Sequence, residues 1–120
     1  MGDLSKNFNA SEFACKCGCG SDQMVPMVTA KLQKARDLAD TPFNISSGCR
    51  CFKHNREVGG ANGSSHLAGW AVDISVASSR ERFLIVSALL QAGFTRIGVS
   101  ENFIHVDLDP IKPPCVIWLY

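Results

Sequence analysis

The stretch Ser64-Ser65-His66-Leu67-Ala68-Gly69-Trp70-Ala71-Val72-Asp73 constrains this chain more than any other. It sets a His and an Asp seven residues apart around a Gly, at the start of an apolar run that reads as a strand. Side chains of a regular strand alternate between faces, so an odd separation would send the two to opposite sides. Both can reach one ion only if the chain turns between them, and Gly69 supplies that turn. His105, in Phe103-Ile104-His105-Val106-Asp107, is placed beside them, because the chain has only three histidines and this one falls on an expected sheet face.

Two imidazole nitrogens and one carboxylate leave the fourth tetrahedral position for water, which is what separates catalytic from structural zinc. Water on such an ion ionises near pH ~7, and the ion polarises a carbonyl. His66, Asp73 and His105 are thus candidate ligands of one catalytic Zn2+, with hydrolysis of a peptide bond as its natural chemistry, and spacing alone leaves open the alternative that they are hydrogen-bonded structural residues at strand ends.

The rest of the chain is compatible with a small enzyme. With 120 residues, 46% hydrophobic and 19% charged, it has ordinary globular usage and enough length for one core, so residues 1–120 read as a single domain. A net charge of +1 gives no broad basic face to gather phosphates, and nucleic acid is not an expected partner. The opening MGDLSKNFNASEFAC lacks the apolar stretch of about 7–15 residues that a secretory signal needs. The runs FLIVSALL and CVIWLY fall short of the ~18 apolar residues that span a bilayer. The chain is expected to be synthesised in the cytoplasm, with no transmembrane segment, and to act as a monomer.

Apolar positions Val28, Leu32, Ala35 and Ala39 recur at helical spacing and predict an amphipathic helix over Pro26 to Ala39, with Pro26 in its first turn. A second helix is expected from about Arg80 to Ala92, opened by Ser78 and Glu81 as a capping box, closed by Gly93, and turning Phe83, Val86 and Leu90 inward. Strand character appears at Phe43 to Ser46, Ala71 to Ser75, Arg96 to Val99, Phe103 to Leu108 and Val116 to Leu119. The short links SEN and DPIKPP favour antiparallel neighbours among the last three. The fold class is α+β, a small antiparallel sheet backed by helices.

Six cysteines, at 15, 17, 19, 49, 51 and 115, exceed the usage of a reduced cytosolic domain. Disulfides, a thiolate metal site and thiols in the core are all compatible with the sequence. The C-x-C spacing is shorter than the C-x(2–4)-C of most structural zinc sites, and pairing is not readable.

The segment SSGCRCFKHNREVGGANGSSHLAGWAVDIS resembles the core of the zinc D-Ala-D-Ala carboxypeptidase family, which includes phage L-alanyl-D-glutamate endopeptidases and vancomycin-resistance dipeptidases and shares its fold with the hedgehog signalling domain. Ser64, His66, Gly69, Ala71 and Asp73 meet the family pattern S-x-H-x-x-G-x-A-x-D, and His105 meets its later strand histidine. The likeness runs from SEFACKCGCG to the last strand and is greatest to short phage and prophage members. It implies a hedgehog-like fold and places Arg50 of SGCRC where the family has an Arg that polarises substrate or binds its carboxylate. A guanidinium fork suits either task. Cys49 stands where the family has Tyr. The resemblance also implies that Ser64 hydrogen-bonds the bound peptide.

The family's better-known members carry an acid three residues before the last His, but here that residue is Asn102, and an amide cannot take a proton. Glu101 and Asp107 are the remaining candidates for general base. Asp107 would lie on the face of His105, about 6.6 Å along the strand, placed to contact the zinc water or orient a ligand. Glu101 qualifies if the Ser100-Glu101-Asn102 turn folds over the metal. The assignment leans to Glu101 as base and Asp107 as orienting residue. His54 is read as an exposed loop residue, and Trp70 as either groove or core. Phe94, Ile97, Trp118 and Tyr120 read as core or rim.

The expected activity is zinc-dependent hydrolysis of peptidoglycan stem peptides, either removal of a terminal D-Ala or cleavage of the L-Ala-D-Glu bond. The phage likeness implies an endolysin that acts on the cell wall after release through membrane pores. The alternatives are a non-catalytic zinc-stabilised binding module and a phage structural component.

Overall fold

Pro26 starts the first helix, α1 (Pro26–Ala39), at a position where its missing N–H costs no hydrogen bond. The helix buries Val28, Leu32, Ala35 and Ala39, the row its spacing predicts, and stops where Asp40 turns left-handed at φ 50°. These features come from a computed structural model that describes residues 2, 4–17, 23–60 and 64–120. Cys19 lies outside the described residues.

A short helix, α2 (Phe52–Glu57), occupies a stretch that reads as loop and carries His54. Tertiary contact holds it, since the buried Asn55 caps the Arg50 guanidinium, Arg50 Nη1 donating to Asn55 Oδ1 at 3.1 Å. The long helix α3 (Ser79–Ala92) begins and ends as expected. Ser78 Oγ accepts the Glu81 N–H at 3.1 Å, and Gly93 closes it at φ 102°.

The inward face of α3 differs from the expectation. Ile85, Ala88, Leu89 and Ala92 are buried and Val86 packs half-buried against the core as expected, whereas Phe83 is 70% exposed and Leu90 is 48% exposed. α3 packs directly on α1. The row with Ala88 and Ala92 lets two helix backbones approach, which the bulkier row cannot, so packing distance overrides apolar bulk.

The five strands β1 (Asn44–Ser47), β2 (Ala71–Ser75), β3 (Arg96–Val99), β4 (Phe103–Asp107) and β5 (Val116–Leu119) form one sheet in the order β1-β2-β4-β3-β5. All neighbours are antiparallel except β3 and β5, which are parallel, so the sheet is mixed rather than wholly antiparallel. β5 does run opposite to β4, as the short link requires, but it is not β4's neighbour. The loop steps over the end of β3, where Arg96 Nη1 donates to Pro113 O at 2.5 Å, and lays β5 on the far edge.

One sheet face supplies Val72, Ile74, Ile97, Ile104 and Val106 to a core shared with Val28, Leu32, Ile85 and Leu89 of the helices. Full burial of such a side chain contributes about 1.5–3 kcal/mol, so this layer fixes which way each strand faces. Its alternate residues are thereby delivered to the opposite face. There the register aligns Ser47, Asp73, His105, Gly98 and Trp118 in one row across all five strands. Among the described residues, no helix is long and apolar enough to cross a membrane.

Candidate metal centre

His66 enters from a 3-10 turn, Ser65–Ala68, capped by Ser64, whose Oγ accepts the His66 N–H at 3.3 Å. Gly69 ends the turn at φ 75°, and a Cβ there would lie 2.2 Å from Gln23 O, so a left-handed backbone and a close chain approach both demand glycine. That turn swings His66 back over β2 to the side chain of Asp73. The reversal expected from the odd spacing is present.

His66 Nδ1 lies 2.7 Å from Gly48 O. A carbonyl only accepts, so Nδ1 donates to it and Nε2 is the nitrogen turned toward Asp73 Oδ1, 3.3 Å away. His105 repeats the arrangement with its nitrogens exchanged. Its Nε2 meets Asp107 Oδ2 at 2.7 Å, which leaves Nδ1 to face the same Asp73 oxygen at 2.9 Å. Two ring nitrogens and a carboxylate oxygen thus converge in a buried site, an arrangement that a metal cation, or protons in its place, satisfies.

The donors suit zinc. The three ligand atoms lie within 4.8 Å of one another, and a tetrahedral ion with bonds of about 2.0–2.1 Å would space its ligands roughly 3.3 Å apart. Without metal, protons fill the role. Burial pushes Asp73 up, but hydrogen bonds from His105 and His66, together with their charge, outweigh it and hold the carboxyl well below the usual range. Burial pushes His105 down, yet Asp107 and Asp73 raise it above an ordinary histidine. Asp107 is lowered against its own burial by His105, the Asp109 N–H and the charge of Arg96.

Around these donors lies a cleft of about 530 Å3, whose walls include Arg50, Ser64, Arg96, Phe103, Lys112, Trp118 and Tyr120. Arg50 is held by Ser47 Oγ at 3.3 Å and Asn55 Oδ1 at 3.1 Å, with Nη2 3.6 Å from Asp73 Oδ2. The structure therefore brings together His66, Asp73, His105, Arg50, Ser64 and Asp107. It does not bring Glu101, which is exposed on the turn between β3 and β4, outside the cleft walls. Trp70 packs on the core rather than the cleft.

Sequence reasoning missed Arg96, Lys112 and Phe103, and left Trp118 and Tyr120 open between core and rim; both line the cleft. Arg96 bridges Asp107 Oδ1 at 2.8 Å and lies 5.1 Å from the centre of the Trp118 ring. Lys112 Nζ donates to Ser65 Oγ at 2.9 Å, and Ser65 donates to Asp109 at 2.8 Å, tying the loop before β5 to the turn that bears His66. The alternation of Trp118 and Tyr120 along β5 was a usable signal for a shared face.

No curated protein matches the chain significantly. A family model described as Peptidase M15 matches residues 6–107, a span that takes in every metal donor and ends on the last residue of β4. The chain belongs to the peptidase M15 family of zinc-dependent metallopeptidases.

Proposed function

We propose that this protein hydrolyses peptide bonds in peptidoglycan stem peptides, with His66, Asp73 and His105 holding one Zn2+. The observation that carries the reading is the convergence of His66 Nε2 and His105 Nδ1 on Asp73 Oδ1, with each imidazole's other nitrogen committed elsewhere. Zinc bound there would supply Lewis acidity and a water acidified towards pKa ~7.

The chain's own residues complete the site. Arg50 presents a fixed guanidinium beside the donors, placed to stabilise oxyanion charge or grip a terminal carboxylate. Ser64 uses its oxygen on the His66 N–H, which leaves its hydroxyl proton for a substrate carbonyl. Phe103, Trp118 and Tyr120 form an apolar wall that suits small aliphatic side chains. Asp107 fixes the tautomer of His105. Glu101 would reach the cleft only if its turn refolded, and Arg82 Nη2 pins that turn through Glu101 O at 2.6 Å.

Stem peptides incubated with zinc-loaded protein, beside a chelator-treated control, test the reading by mass spectrometry. Chelator-sensitive loss of a terminal D-Ala would define a carboxypeptidase, and new internal amino termini an endopeptidase. Arg50→Lys should retain zinc but lower kcat by about 10²-fold, because an ammonium lacks the planar fork. A second reading, a zinc-stabilised binding module, draws on one observation: the acids lining the cleft, Asp73 and Asp107, are both already engaged. Unchanged peptides with zinc bound would favour it. The proposal extends to an endolysin made in the cytoplasm and released through pores. Wall lysis that needs no pore protein, or recovery of the protein in purified virions, would count against that extension.

A further inference from the structure

Remote from the imidazole donors in coordination, though joined to them through the backbone, three thiols converge. Cys15 Sγ lies 3.4 Å from Cys17 Sγ and 3.8 Å from Cys51 Sγ, and Cys17 Sγ lies 3.6 Å from Cys51 Sγ. None of these separations approaches the ~2.05 Å of a disulfide bond. They match another figure: a tetrahedral zinc with Zn–S bonds of about 2.3 Å spaces its sulfurs roughly 3.8 Å apart.

We propose that Cys15, Cys17 and Cys51 bind a second zinc ion as thiolates, a structural site separate from the His66, Asp73 and His105 centre. Core packing does not account for the cluster, since Cys15 is buried while Cys17 is exposed and Cys51 only partly covered. The backbone favours thiolate as well. The Cys51 N–H points at Cys15 Sγ from 3.4 Å, a backbone donor that stabilises negative charge on that sulfur. Soft sulfur donors select zinc over hard divalent cations, and three of them leave one tetrahedral position for a further ligand. Cys49 and Cys115 are not members of this cluster.

The ion would join the segment after a 3-10 turn at Ala10–Phe13 to the strap over residues 48–51. Cys49 N–H already donates to Phe13 O at 2.8 Å, and a Cβ on Gly48 would lie 2.7 Å from the Phe13 backbone, so the two segments are in direct apposition. The same strap carries the Gly48 carbonyl that sets the His66 tautomer, and Arg50. A metal here therefore anchors the part of the chain that organises the cleft.

The test is cobalt substitution of the whole chain, purified under reducing conditions, read by metal stoichiometry and electronic absorption. The expected result is two equivalents bound per chain and a thiolate-to-cobalt charge-transfer band. His66→Ala should lose one equivalent and keep the band, whereas Cys17→Ser should lose the band and keep the other equivalent. One equivalent without the band in the wild-type chain would overturn the proposal, even if hydrolysis proceeds. So would a wild-type chain whose three thiols alkylate as readily with zinc as with chelator. If Cys17→Ser fails to fold, the wild-type and His66→Ala spectra still decide. A band that survives His66→Ala supports the site whether or not the chain is an active peptidase.

Discussion

Both oxygens of Asp107 are engaged, Oδ2 with His105 Nε2 at 2.7 Å and Oδ1 with Arg96 Nε at 2.8 Å and the Asp109 N–H at 3.1 Å. Asp107→Asn can keep the second set of bonds only by turning its NH2 toward His105. That would force the proton onto Nδ1 and remove the lone pair that would bind the metal. Zinc affinity at the imidazole centre should fall by about 10–100-fold, measured by competition with a chromophoric chelator. Glu101→Ala should leave both zinc binding and turnover within about twofold, the usual outcome for a surface site. Turnover abolished by Glu101→Ala with zinc retained would return the general-base role to Glu101. At this scale the sequence was most legible where one motif holds the residues: His66, Asp73 and Ser64 lie within ten positions. Arg96 and Lys112 were not legible, because their partners are defined by cross-strand register and a loop path, and neither leaves a spacing in the chain.

Strand β3 contributes most to the site through a residue with no side chain. Gly98 sits between His105 and Trp118 in the row that crosses the sheet, and a Cβ there would lie 2.6 Å from the indole and 2.7 Å from the Tyr120 ring. With the Trp118 and His105 rings already 5.4 Å apart between centroids, Gly98→Ala must displace the aromatic wall. Overpacking of this kind costs about 1–3 kcal/mol. Denaturant titration should register that loss, together with weaker substrate binding. Helix α3 gives a complementary contrast. Ile85→Ala, on the face that meets the core, should cost about 2–5 kcal/mol, whereas Phe83→Ser, on a side chain 70% exposed, should stay within about 0.5 kcal/mol. Caps made the ends of α3 readable, because Ser78 and Gly93 act locally. Its rotation was not readable, because it depends on how closely α1 approaches. For the same reason three strands had boundaries that local pattern could place to the residue, while the parallel seating of β5 depended on Arg96 holding the loop over β3.

Across the whole molecule, the buried charges make stability depend on pH in opposite directions with and without metal. In the metal-free chain Asp73 and Asp107 are depressed, so their contribution is present above the unfolded value of ~3.9 and is lost as pH falls through their folded values. His105 is raised, so its contribution is present below the unfolded ~6.5 and is lost as pH rises through its folded value. All three contribute in full between ~4 and ~6.5. Zinc reverses the upper limb, because it needs the His105 Nδ1 lone pair that a proton otherwise occupies. With chelator, Tm should therefore be higher at pH ~5.5 than at pH ~8.5; with zinc, the order should invert. At a hundredfold excess over Kd, bound metal adds about 2.7 kcal/mol, or roughly 10 °C for a domain of this size. Running the same melts on His66→Ala separates the imidazole centre from the thiolate cluster, since only the first increment should vanish. A chelated Tm that does not change between the two pH values would mean that the His105 proton is not bound between the two carboxylates. The argument that a metal replaces that proton would then fail with it.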